Sequence, residues 1–231
     1  MDLMRQMWKS VAYDRAGTAM AAVLGVVIVA VPLLNLVVPA SSPIGGLKEL
    51  IEHARARPGA LRFGAQGIGT SSHIFAEWMN SLAKIKVVIV PYKGGGPAIT
   101  ALLGGQVQLY FAAIPSTLPF IKGGRLRALA VTSAKRSPAV PEVPSMAEAG
   151  VAGYDELTWN GLLAPARLPA ALLKKIYADA DAVLKMPFVR DKFATEGAES
   201  GGTAPDAFGK LIQNEIVKWA KLTREAGIKP E

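Results

Sequence analysis

Two glycine-rich segments gather most of the residues whose types and spacing could do chemistry. The first is Gly64-Ala65-Gln66-Gly67-Ile68-Gly69-Thr70-Ser71-Ser72-His73, which follows an expected strand and opens an expected helix. Its glycines allow a tight turn with exposed amides, while Thr70, Ser71 and Ser72 can cap the helix and offer hydroxyls. A helix start with open amides attracts anions through its unpaired N–H groups and its dipole. A dinucleotide fingerprint is the rival reading. Against it, Ser72 stands where the third glycine would be, and Tyr92-Lys93 stands where an acidic residue belongs about twenty positions on. A structural turn before a capped helix stays equally open on residue types alone.

The second segment, Pro91-Tyr92-Lys93-Gly94-Gly95-Gly96-Pro97-Ala98, repeats that logic, with Pro97 suited to the first helical position. A phosphate-binding P-loop would need Gly-Lys followed by Ser or Thr, and Pro97-Ala98-Ile99 supplies none of it. Two strand-to-helix loops presenting backbone donors on one sheet edge are what a carboxylate cleft requires. A third stretch, Phe111-Ala112-Ala113-Ile114-Pro115-Ser116, could form another wall, although a simple strand exit is the favoured reading. No nucleophile elbow, adjacent histidine base, pair of carboxylates in a polar loop or metal-ligand spacing occurs. His53 falls on a solvated helix face, and His73, in the first turn of its helix, reads as a capping or lining residue. The expectation is a binding protein without a cofactor, not an enzyme.

The elements that must position these loops follow from composition and periodicity. The chain has 231 residues, no cysteine and two histidines, which excludes disulfides, thiol nucleophiles and Cys-ligated metals. Hydrophobic residues make up 51%, enough for one large domain or two modest lobes. The 26 basic and 18 acidic residues leave a formal charge of +8. Basic residues are scattered singly, as in Lys174-Lys175 and Lys218-Trp219-Ala220-Lys221, with no basic run and only 7% aromatics. Nucleic acid is therefore not an expected partner, and a diffuse field favouring small anions remains. Ala19 to Val38 runs for about twenty residues without a charge, long enough for a bilayer span. It reads either as a signal or anchor behind Arg5, Lys9 and Arg15, or as two buried strands, Val23 to Val31 and Leu33 to Val38, broken by Pro32.

Beyond Pro43, strands and helices alternate. The periodicity predicts helices over Leu47 to Arg57, Ser71 to Leu82, Pro97 to Leu103, Leu118 to Lys122, Ala170 to Leu184 and Asp206 to Ala226, with a short one at Met146 to Ala149. Strands are expected at Ala60 to Gly64, Val87 to Val90, Val107 to Phe111, Leu126 to Thr132 and Leu157 to Ala164. That alternation predicts α/β architecture with a parallel sheet of βαβ units.

Several blocks carry a resemblance. Gly67-Ile68-Gly69-Thr70-Ser71-Ser72-His73, Val90-Pro91-Tyr92-Lys93-Gly94 and Leu103-Gly104-Gly105-Gln106-Val107 resemble the periplasmic substrate-binding proteins of tripartite tricarboxylate transporters, the Bug family. The likeness continues in order through Gly123 to Thr132, Pro141 to Gly150, Trp159-Asn160-Gly161-Leu162-Leu163-Ala164-Pro165 and Ala226-Gly227-Ile228-Lys229-Pro230. Upstream, Trp8 to Asp14 resembles the segment ahead of the family's first crossover strand, and Val31 to Val38 resembles that strand. This favours buried strands over an anchor.

The resemblance implies a two-lobed fold of periplasmic-binding-protein type with a hinge. Lobe 1 would be incomplete, with a remnant at residues 1–35. Lobe 2 would occupy 36–158, and residues 159–231 would return to lobe 1. The signal peptide and first βαβ region usual in the family are not evident, which makes the chain about a quarter to a third short. Also implied are a small carboxylate ligand, membrane transporter subunits as partners and a periplasmic location. The ligand would be held by Gln66, Gly67, Gly69, Thr70, Ser71, Ser72 and His73, and by Tyr92, Lys93, Gly94, Gly95, Gly96 and Pro97. Ala112 stands near the place where the family often has an aspartate, which bears on ligands with an amino group. A binding-incompetent relative and a membrane-anchored interaction module are the alternatives.

Overall fold

A computed structural model describes residues 23–165, 167–195 and 197–225. The expected family segment at Trp8 to Asp14, the basic residues Arg5, Lys9 and Arg15 and the ending Ala226 to Pro230 lie outside them. The chain divides into two compact units, the larger built on Pro32–Thr158 and the smaller on Trp159–Phe193 and Glu199–Ile216.

The larger unit holds a five-stranded sheet. Its strands are β2 (Leu34–Pro39), β3 (Arg62–Ala65), β4 (Val88–Pro91), β5 (Leu109–Ala113) and β6 (Leu126–Val131), in the order β4-β3-β5-β2-β6. β3 runs parallel to β4 and β5, as the βαβ pattern predicts. β2 instead runs antiparallel to both β5 and β6, so the sheet is mixed where a parallel one was expected. The physical reason is that an intervening helix permits a parallel crossover without requiring one: β3, β4 and β5 are joined by such crossovers, whereas the helix at Leu47–Ala56 links β2 to β3, two places away and oppositely directed.

Helices α1 (Leu47–Ala56), α2 (Ser71–Ala83), α3 (Gly95–Leu103) and α4 (Ile114–Lys122) belong to this unit. In α1, Leu47, Leu50, Ile51 and Ala54 fall on one helical stripe, and all four are buried. They join Phe75, Ala76 and Met79 of α2 against Leu34, Leu36, Phe63, Leu109 and Phe111 of the sheet. The alternate residues Val37, Tyr110 and Ala112 point to the other face and meet Ala98, Ala101 and Leu102 of α3. Both faces are thus covered, and each fully buried Leu or Phe contributes about 1.5–3 kcal/mol. Tyr154, fully buried, stacks on Phe111 with ring centroids 6.1 Å apart and donates to the Phe75 carbonyl at 3.0 Å. Burial pushes its hydroxyl pKa well above 10.

The smaller unit contains β1 (Val23–Pro32), β7 (Asn160–Pro165) and β8 (Ala198–Ser200), ordered β7-β1-β8, with β1 and β7 antiparallel. Helices α5 (Ala170–Leu184), α6 (Pro187–Thr195) and α7 (Pro205–Glu225) complete the chain. α5 buries only Leu184, which packs on Ala164 with Leu173, Ile176 and Tyr177 around it. Trp159 meets Phe208 edge-on at 5.1 Å. The last turns of α7 belong to the larger unit, where Trp219 stacks on Phe75 at 5.6 Å and Lys218 pairs with buried Glu156 at 2.5 Å.

One expected element is absent and two unexpected ones are present. Met146 to Ala149 forms turns, closed by Ala149 N–H to the Ser145 carbonyl and Val151 N–H to Met146, in place of a helix. The unexpected α6 has no buried side chain, hence no apolar stripe to reveal it, and β8 is only three residues long. The apolar run from Val23 to Pro39 forms β1 and β2, and among the described residues no helix is long and apolar enough to cross a membrane.

Candidate functional site

β3 and β4 lie side by side with Ala65 opposite Pro91, so the two loops that follow them leave the same edge of the sheet together. The first loop reaches α2 through Thr70 as N-cap, and the second reaches α3 through Gly94. Neither helix has a side-chain cap. The first intrahelical bond of α2 runs from Ile74 N–H to the Thr70 carbonyl. Among the described residues, the amides of Ser71, Ser72 and His73 in α2 and of Gly95 and Gly96 in α3 therefore have no protein acceptor. Such groups carry the positive end of the helix dipole.

The hydroxyls expected to cap α2 close the loop instead. Gln66 N–H donates to Ser72 Oγ at 2.9 Å, and Thr70 Oγ1 donates to the Gly67 carbonyl at 2.8 Å. Ser72 Oγ and Thr70 Oγ1 are 3.1 Å apart. Thr70 has one proton and it is committed to Gly67, so Ser72 is the donor between them. The result is a one-way relay from Gln66 through Ser72 and Thr70 to Gly67. His73 Nδ1 accepts from Gly69 N–H at 3.0 Å, which places the imidazole proton on Nε2 and ties the side chain back to the loop. Burial lowers its pKa and nearby Glu77 partly restores it. Gly69, at φ +73, and Gly94, at φ +107, hold backbone shapes that a side chain would strain. Ile68 stands about half exposed at the loop tip.

The second loop is bare by comparison. Gly94 N–H donates to the Gln66 carbonyl at 2.9 Å, and Tyr92 N–H to Ala65 at 2.8 Å. α3 begins at Gly95, so Pro97 is its third residue and not its first. The missing N–H is still harmless there, because first-turn amides have no helical acceptor. Lys93 is exposed, whereas Tyr92 is half-buried with its ring 3.6 Å from where a Cβ on Gly64 would sit. No aspartate or glutamate occurs in Gly64 to His73 or Pro91 to Ala98.

The third stretch behaves as a strand exit. Ile114 N–H is taken by the Leu33 carbonyl at 3.1 Å, Pro115 has none, and Ser116 Oγ donates to Ala113. Ala112 is buried within β5 opposite Asn35 and packs in one cluster with Ala98 of α3. Tyr110 escaped the sequence reading: it is 1% exposed beneath the second loop, and its hydroxyl accepts from Gln66 Nε2 at 2.8 Å. The only available signal was its place in an apolar strand, where a lone hydroxyl needs a partner. A separate hollow of about 330 Å³ lies at the opposite end of the sheet, between Ser41-Ser42 and Leu103 to Gly105. It adjoins the C-terminal end of α3, where carbonyls face outward, and so is the wrong end for an anion.

Known proteins share this fold. The chain is 34% identical over 199 residues to protein BugT of Bordetella pertussis (strain Tohama I), covering 86% of this chain and 61% of BugT. It thus spans about three-fifths of that relative's length. The solved structure of Rpa4515 from R. palustris with adipate superposes with a TM-score of 0.83 at 32% identity, covering 95% of this chain and 72% of the other. MatC from Rhodopseudomonas palustris with bound malate gives a TM-score of 0.77 at 26% identity, covering 92% and 74%. These neighbours have the α/β two-lobed fold of periplasmic binding proteins. A family model described as the tripartite tricarboxylate transporter family receptor matches residues 5–228, and the chain belongs to that family of receptors, not of enzymes.

Proposed function

We infer that the protein is a periplasmic solute-binding protein that captures a small carboxylate and passes it, chemically unchanged, to the membrane subunits of a tripartite tricarboxylate-type transporter. One observation carries the reading: two neighbouring helix starts on one sheet edge, both uncapped and free of acidic residues, offer five open amides between them. A carboxylate needs several convergent N–H donors, and charge-assisted bonds of this kind are about twice as strong as neutral ones. Gly67 to His73 and Tyr92 to Pro97 form the proposed contact surface, with Lys93 adding a positive charge and Ile68 an apolar one. The names of two structural neighbours, one with adipate and one with malate, favour a dicarboxylate.

Calorimetric titration of the purified chain with adipate, malate, a monocarboxylate and a neutral diamide tests this. Saturable binding of a dicarboxylate with none of the diamide supports the reading. Absence of heat with every carboxylate, alongside a folded circular dichroism spectrum, would favour a binding-incompetent relative.

A further inference from the structure

Gln66 is attached to three different elements at once. Its N–H goes to Ser72 in α2, its carbonyl receives Gly94 N–H from the second loop, and its side-chain amide donates to Tyr110 in β5. Tyr110 otherwise packs as an apolar residue with Val37, Ala98, Leu102 and Val107. A phenylalanine would fill that space equally well, and a buried hydroxyl is costly unless it bonds. Gly95 completes the arrangement: a Cβ there would lie 3.2 Å from the Tyr110 hydroxyl and 3.8 Å from Gln66 Cδ, so the first turn of α3 sits directly on the bridge.

We propose that Gln66 and Tyr110 form a staple that fixes the spacing of the α2 and α3 helix starts, Gln66 acting as a positioning residue and not as a ligand contact. This rests on the anion-binding reading above for its purpose, but the staple itself is testable without a ligand. Moving one helix start relative to the other must break a bond to Gln66, because each of its polar groups holds a different element. Tyr110 anchors the third attachment in the rigid middle of the sheet.

Amide hydrogen exchange on the full chain tests the staple. Tyr110→Phe and Gln66→Leu are expected to speed exchange about tenfold at the bonded amides of Gln66, Gly69 and Gly94, while the amides of β5 and β6 keep their rates. Gln66→Glu keeps the bridge with its direction reversed, since the new carboxylate accepts the Tyr110 proton, and is expected to retain slow exchange. Unchanged rates in both disrupting variants, or a uniform rise across the chain, overturn the staple. Titration with adipate and malate then reads its purpose: Tyr110→Phe is expected to weaken whichever ligand binds by about tenfold, and wild-type affinity in that variant overturns the positioning role. If the unaltered chain binds neither ligand, the functional reading fails, and the exchange rates still decide the staple.

Discussion

The two loops start from the same plan and solve it differently. The loop after β3 spends its side chains on itself: Ser72, Thr70 and His73 all bond backbone groups of Gln66, Gly67 or Gly69. The loop after β4 has no such groups and takes its shape from glycine, from β-sheet pairing and from Gln66. The difference teaches that a helix start can be kept open for an anion in two ways. One loop is stiffened by polar side chains turned away from the amides, and the other is left nearly without side chains and held from below.

The largest expected effect comes from filling the bare loop. Gly95→Val should lower carboxylate affinity at least tenfold and cost about 1–3 kcal/mol of stability by overpacking against Tyr110. Calorimetry and urea unfolding read the two effects, and a variant that binds normally would show that this helix start is not used. Breaking the self-tied loop should be felt more in stability than in binding. Ser72→Ala leaves the partly buried Gln66 amide and Thr70 hydroxyl each short of a partner, at a cost of about 1 kcal/mol by the shift in urea midpoint.

A smaller effect separates the loops by pH. Burial holds the His73 pKa below its ordinary 6.5, so the unfolded chain takes up this proton first. Stability due to His73 is therefore present above about pH 6.5 and falls as pH drops below it, until the folded imidazole itself protonates. His73→Gln should flatten that part of the pH–stability curve, and an unaltered slope would remove His73 from the first loop's support. The smallest change serves as a control at the far end of α2. Lys84 adopts φ +51, and Lys84→Gly should raise stability by about 1 kcal/mol while leaving binding and loop exchange untouched.

Much of this was legible in the residues. α1, α2 and α5 are predicted to within a residue or two, because Leu47, Leu50 and Ile51, or Phe75 and Met79, mark a stripe that only a helix lines up. Both glycine loops lie where strand gives way to helix, since glycine and the loss of periodicity coincide there. Strand direction was not legible: β2 is a run of five consecutive buried residues that reads the same whichever way it runs. Nor was the Gln66–Tyr110 bond, which joins residues 44 apart and depends on β5 passing beneath the second loop. The capping expectation failed for a related reason. Thr70 and Ser72 are good caps by type, yet the turn at Gly67 and Gly69 brings loop carbonyls and amides nearer to them than the helix's own.

The order β4-β3-β5-β2-β6 leaves two strands at the rims of the main sheet, and each is guarded against pairing with another molecule. β4 is four residues long and ends at Pro91, which has no N–H to offer, with Lys86 and Lys93 exposed beside it. β6 is covered where Val131 exchanges bonds with Pro144 and Met146. A mixed sheet with such rims resists edge-to-edge growth into fibrils. The same Pro91 that introduces the second loop thus also leaves the β4 rim one donor short for pairing with a strand of another molecule.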